Sequence, residues 1–147
     1  MKAKLKMYCE SFIDNRIKRI KDQIETISQS LQSETKSSAG DKHETGRAML
    51  QLEREKLGVQ LAEAENTKRV LSKVQPDKIS AKISLGSLVK TDMHQYYIAI
   101  SAGAFEIGGD IVYCISTQTP IAKLCMGKSK GESFVINGIK QEILEIV

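Results

Sequence analysis

An isoleucine ladder constrains this chain more than any other feature. Ile13, Ile17, Ile20, Ile24, Ile27 and Leu31 follow one another in alternating steps of four and three. That spacing lines them up along one side of an α-helix and leaves Arg16, Lys18, Arg19, Lys21, Asp22 and Glu25 to the solvent. Such a seam needs a partner. Ser37-Ser38-Ala39-Gly40 breaks the period, and beyond it Leu50, Leu57, Ala64 and Leu71 recur every seven residues, with Leu61 beside them. The spacing predicts two helices, over about 5–34 and 42–73, folded back on each other as an antiparallel coiled-coil hairpin. At about 1.5 Å per residue, an arm of some thirty residues reaches roughly 45 Å. A two-helix hairpin is marginal by itself, so its base needs support from the rest of the chain.

Val74-Gln75-Pro76-Asp77 ends the hairpin, because proline cannot continue a helix. The character of the sequence then changes. Ile79–Leu85 alternates apolar and polar residues, and His94–Ser101 is rich in strand formers. Gly108-Gly109 separates Ala104–Ile107 from Ile111–Ile115, and Asn137-Gly138 separates Phe134–Ile136 from Ile139–Val147. Both pairs read as hairpins, the second with a type I′ turn. Between them, Thr119 as cap, Pro120 in the first turn and Gly127 as stop mark one short helix. The expected architecture is α+β: a helical hairpin over 1–75 with its tip near 40–44, then a β-rich domain over 79–147, read as one short helix within an antiparallel sheet.

The formal charge is +4 over 147 residues, and aromatics make up only 5%, with no Trp. Cut at residue 75, the first part carries all the excess positive charge and every arginine, which fits either an acidic surface or nucleic acid as its partner or simply the solvated faces of a helix pair. Cys9, Cys114 and Cys125 are odd in number, scattered and without a CxxC pair, which argues against a disulfide framework or a zinc site and for a reducing compartment. No apolar run approaches the roughly 20 residues needed to span a bilayer, and the basic start is interrupted by Glu10 and Asp14, unlike a signal peptide. A cytoplasmic protein without a membrane partner is the expectation.

The chemistry concentrates at the hairpin turn, Glu34 to Arg47. Asp41 and Glu44, three apart at the start of the second helix, form a capping-box pattern and suit the positive end of the helix dipole. The same spacing aims two carboxylates to one side of the helix start. Mg²⁺ keeps several waters and takes only one or two protein carboxylates at many sites. Two acids in this position therefore fit a metal whose remaining ligands come from another molecule. Capping and metal binding are compatible, since the cap fixes the geometry. His43 lies between the acids, and Lys36, Lys42 and Arg47 flank them, either to steer toward phosphates or simply as solvated charges.

In motif and order the chain resembles the Gre transcript-cleavage factors of bacteria along nearly all its length. Gly40-Asp41-x-x-Glu44 matches that family's tip element. Thr119-Pro120-Ile121-Ala122-Lys123-Leu124 through Gly127, followed by Gly131-Glu132, resembles its C-terminal segment. The resemblance implies an FKBP-like fold for 79–147 and docking of that domain at the rim of the RNA polymerase secondary channel. It also implies that the hairpin enters the channel, where Asp41 and Glu44 help hold the catalytic Mg²⁺ while the polymerase cuts the 3′ end of backtracked RNA. On that reading the chain is a monomer, is not itself an enzyme, and binds no cofactor alone. Where the family usually has Asn after the tip glutamate and an aromatic soon after, this chain has Thr45, Gly46 and Arg47. A regulator that occupies the channel without promoting cleavage is the alternative. A prolyl isomerase would need an aromatic-lined pocket, and a plain coiled-coil module would leave the acidic turn and the C-terminal motif unexplained.

Overall fold

Two helices open the chain, α1 (Lys2–Lys36) and α2 (Asp41–Ser72). The computed structural model describes residues 1–36 and 41–147, with the side chains of 34–36 and 41–43 outside the description. Six strands and a short helix follow: β1 (Leu88–Thr91), β2 (Gln95–Ala99), β3 (Gly103–Ile107), β4 (Asp110–Ser116), α3 (Pro120–Cys125), β5 (Ser133–Ile136) and β6 (Ile139–Ile146). The chain is therefore α+β, with a helical N-terminal region and a six-stranded sheet. It divides into two compact units, one of residues 1–12 and 69–147, the other of residues 13–68.

In the unit of residues 13–68, early residues of α1 meet late residues of α2, and the reverse. Lys68 pairs with Asp14 at 2.6 Å, and Arg47 Nη1 donates to the Leu31 carbonyl at 3.3 Å. Between these points Asp22, Gln23, Thr26 and Ile27 face Glu53 and Leu57 across a groove of about 370 Å³. The helices are thus antiparallel, as the two seams require. Ile13, Ile20, Leu57 and Ala64 are buried, whereas Ile17, Ile24, Leu31 and Leu50 are only half-buried. Two helices alone cannot enclose a seam completely, so the residual exposure is expected. On another face of α2, Met49, Leu52 and Val59 stand exposed, an apolar set that the heptad pattern does not include.

The unit of residues 1–12 and 69–147 is built on the sheet, in the order β3-β4-β2-β1-β6-β5. The sheet is mixed rather than antiparallel, because β2 and β4 run parallel, with Tyr96 opposite Tyr113 and Tyr97 opposite Cys114. The cause is the three-residue link from β2 to β3. It steps past one strand position, and the tight Gly108-Gly109 turn then returns β4 into the gap. Ile79–Leu85, which alternates like a strand, forms none and contributes a single bridge, Lys82 to Ser129. The backbone there is held instead by the α3 segment: Ile83 donates to Lys128 at 2.9 Å and Gly127 donates to Ile83 at 2.8 Å. The Asn137-Gly138 turn has both residues at positive φ, 51° and 77°, which is the type I′ geometry.

Each sheet face has its own cover. Ile83, Val89, Tyr96, Ile98, Phe134 and Ile143 pack with Ala122 and Cys125 of α3. The register of β6 against β1 shifts between Lys90 and Thr91. The extra residue leaves Leu144 and Glu145 exposed and returns Ile146 to this core. On the opposite face lie the first turns of α1. Tyr8 stacks on Phe105 at 4.4 Å and donates its hydroxyl to the Ala102 carbonyl at 2.7 Å. Lys2 and Lys6 donate to the carbonyls of Lys78 (2.7 Å) and Val74 (3.0 Å), satisfying acceptors at and beyond the end of α2. Leu5 and Cys9 are fully buried. Residues 1–12 therefore belong to the unit that carries the sheet.

That face also carries the least comfortable polar atoms of the core. The neighbouring Cys114 thiol and burial both push the Cys9 thiol upward, toward the protonated form. Burial, with both thiols nearby, pushes the Tyr97 hydroxyl upward as well. Tyr97 is fully enclosed, and its hydroxyl finds no hydrogen-bond partner among the described residues.

Candidate functional site

The sequence places its candidate site at the start of α2. That helix begins at Asp41, so Asp41 and Glu44 share its first turn. Their carboxylates suit the unpaired N–H groups and positive dipole of a helix N-terminus. The Glu44 side chain is exposed, as is Thr45. The Ser37–Gly40 break and the side chains of Lys36, Asp41, Lys42 and His43 lie outside the described residues. Gly46 has open space around its missing Cβ, so no close packing there requires glycine.

Arg47 is where the structure adds most to the sequence reading. Its half-buried guanidinium binds the Leu31 carbonyl on α1. A residue that looked suited to steering phosphates is thus engaged in joining the two helices one turn from Glu44. The signal was present in the numbering: in an antiparallel pair that turns near residue 40, positions 31 and 47 face each other.

The C-terminal motif resolves into structural and exposed parts. Thr119 Oγ1 accepts from the Ala122 N–H at 3.3 Å and donates to the Ser116 carbonyl at 2.8 Å, so it caps α3 as expected. Pro120 occupies the first turn, and Gly127 sits at φ 80°, a conformation that favours glycine. Ala122 and Cys125 point into the core, with the Cys125 thiol pushed up by burial. Lys123 and Leu124 face outward, Leu124 at 41% exposure. Most of the motif therefore builds the fold, and these two side chains are what it presents to a partner.

Charge sorts differently by structural unit than by sequence half. Residues 13–68 hold ten Lys and Arg against ten Asp and Glu, whereas residues 1–12 and 69–147 hold twelve against eight. The whole +4 thus belongs to the unit that carries the sheet. Within the first 75 residues the excess lies on Lys2, Lys4, Lys6, Arg69 and Lys73, which belong with the sheet.

Among the described residues, no helix is long and apolar enough to cross a membrane, and no three His, Cys, Asp or Glu side chains come together as a metal site.

No family model and no curated protein matches this chain. Among solved structures, the chain is similar to the crystal structure of GreA factor homolog 1 of Thermus thermophilus. The identity is 15% and the TM-score 0.37, over 94% of each chain. A second structure, of the transcription factor Gfh1, gives 16% identity and a TM-score of 0.37 over 93% of this chain and 92% of that one.

Proposed function

We propose that this protein is a Gre-type factor that binds RNA polymerase, inserts its helical hairpin into the secondary channel and stimulates cleavage of backtracked RNA. The observation that carries the proposal is the start of α2. It puts Asp41 and Glu44 in one helical turn, with Glu44 exposed, at the end where two antiparallel helices are joined. Capping explains acids in a first turn, but it does not require that they stand at the far end of a paired arm. Hard carboxylate oxygens fit Mg²⁺, and no ready-made cage surrounds Glu44 among the described residues. The remaining ligands would come from the polymerase. When bound, the metal supplies activated water and charge neutralisation at the phosphodiester. Asp41 and Glu44 contribute negative oxygens held in register by the helix start.

Residues 79–147, in an FKBP-like arrangement, would dock the factor, with Lys123 and Leu124 of the α3 motif as exposed contacts. The chain is then a helper of the polymerase rather than an enzyme. The second reading is occupancy without cleavage. It is favoured by Thr45-Gly46-Arg47 and by the engagement of Arg47 with Leu31. The test is incubation with a stalled, backtracked elongation complex carrying end-labelled RNA. Shortened RNA that appears only when the protein is added supports the proposal. Competition with a cleaving factor for the complex, without shortening, supports occupancy. Failure to bind the polymerase rejects both.

A further inference from the structure

Two of the three cysteines meet on one face of the sheet. Side chains alternate between the two faces along each strand. Tyr96, Ile98 and Ile115 pack with α3, so Tyr97 on β2 and Cys114 on β4, which are register partners, point to the opposite face. The first turns of α1 cover that face, with Tyr8 stacked on Phe105. One residue on, Cys9 is 0% exposed and Cys114 is 2% exposed, and the two thiols are neighbours. Cys125 is buried on the α3 side, out of reach of both. Cys9 and Cys114 belong to one compact unit, that of residues 1–12 and 69–147.

From this placement we propose that Cys9 and Cys114 are a redox pair, which hydrogen peroxide closes to a disulfide that fixes residues 1–12 to β4. The contacts around the pair hold it in register. The Tyr8 hydroxyl donates to the Ala102 carbonyl at 2.7 Å, and the Ala102 N–H donates to the Cys114 carbonyl at 3.2 Å. The residue before Cys9 is thus bonded to the residue that is bonded to Cys114. Small apolar side chains would fill the same space without thiol chemistry, and free cysteine does serve as a small hydrophobe. What distinguishes this site is two thiols side by side, brought from α1 and β4, with the third cysteine on the other face.

The chemistry balances. The neighbouring Cys9 thiol draws the Cys114 thiol downward, against the upward push of burial. The thiolate is the nucleophile, so Cys114 reacts first. Its sulfur attacks one peroxide oxygen, the O–O bond breaks, hydroxide leaves, and a sulfenic acid forms. Cys9 sulfur then attacks Cys114 sulfur. The S–S bond forms, the S–O bond breaks, and the hydroxyl leaves as water with the Cys9 proton. Two sulfurs give up two electrons, and one peroxide becomes two waters. Hydrogen peroxide is small enough to enter when the first turns of α1 open locally, as helix ends do.

Trypsin separates the three cysteines into peptides 7–16, 91–123 and 124–128, which makes the test direct. The reduced, folded full chain is treated with hydrogen peroxide, quenched with N-ethylmaleimide in urea and digested without reductant. Mass spectrometry should find 7–16 joined to 91–123, with 124–128 carrying the maleimide, and dithiothreitol should reverse the link. Cys9→Ala and Cys114→Ala should each abolish it. The loop closed spans about a hundred residues, so the oxidised chain should unfold at a urea midpoint higher by about 1 M or more. The proposal is overturned if the folded chain gives no joined peptide, if the link forms only in urea, if Cys125 is joined as readily, or if oxidation lowers the midpoint.

Discussion

Replacing Tyr97 with phenylalanine should make the β unit more stable. Tyr97 is 0% exposed, and its hydroxyl has no partner among the described residues. An unsatisfied buried polar group costs about 1–3 kcal/mol, so deleting the oxygen alone recovers a gain at the low end, about 1 kcal/mol, because a small void replaces it. Tyr96→Phe is the matched control. The Tyr96 hydroxyl donates to Gln141 Oε1, which keeps Thr91 as a second donor. No acceptor is orphaned by that change, so only the net hydrogen bond is lost, about 0.5–1.5 kcal/mol of destabilisation. The same chemical change at neighbouring residues thus has opposite signs. Urea unfolding followed by the near-ultraviolet signal of the tyrosines measures both. With m about 1–1.5 kcal/mol/M, the midpoints should move by roughly 0.7–1 M in opposite directions. A destabilised Tyr97→Phe protein would refute the reasoning, since its hydroxyl would then have a partner such as a buried water.

Three further outcomes follow from the same contacts. Gly58→Ala should stabilise α2 by about 0.5–1 kcal/mol, read by helicity on heating, because nothing lies within 4 Å of the added methyl and glycine is a poor helix former. Tyr8→Ala removes both the stack on Phe105 and the hydrogen bond to Ala102, and should cost about 3 kcal/mol or more in denaturant titration. Burial raises the Cys125 pKa, so above about pH 8.5 the unfolded thiol ionises while the folded one keeps its proton. The unfolded state then binds fewer protons and stability falls as pH rises. Cys125→Ala should make that fall shallower, by up to about 1.4 kcal/mol per pH unit, in urea titrations at stepped pH.

The parts of this fold that are legible in the sequence are those set by local pattern. The isoleucine ladder and the heptad leucines specify both helices to within a few residues, because a 3.6-residue period has few other uses. Thr119-Pro120 and Asn137-Gly138 specify a cap and a turn through backbone chemistry alone. What depends on distant partners is not legible. Ile79–Leu85 alternates convincingly, yet its backbone pairs with the α3 segment across some 45 residues and yields one bridge. β1 is only four residues long, too short a run for a two-residue period to stand out. The parallel pairing of β2 with β4 follows from a link that skips a strand position, which no local signal encodes. At the candidate site, the acidic pair and its place in a first helical turn are readable from spacing. The engagement of Arg47 with Leu31 becomes readable once the turn is set near residue 40, since positions 31 and 47 then face each other, but the residue types alone suggest phosphate steering.

The most direct test of the central claim separates capping from metal binding at the start of α2. Asp41→Asn keeps a capping side chain, and Glu44→Gln keeps a capping-box partner, so both variants should fold and bind polymerase as the unaltered protein does. Each removes a carboxylate charge that Mg²⁺ prefers. In a backtracked elongation complex, the unaltered protein should shorten end-labelled RNA. Each variant should fail at low Mg²⁺ and recover in part as Mg²⁺ is raised. Equal cleavage by the variants at every Mg²⁺ concentration, or none by the unaltered protein, would contradict the claim and leave Asp41 and Glu44 as a helix cap alone.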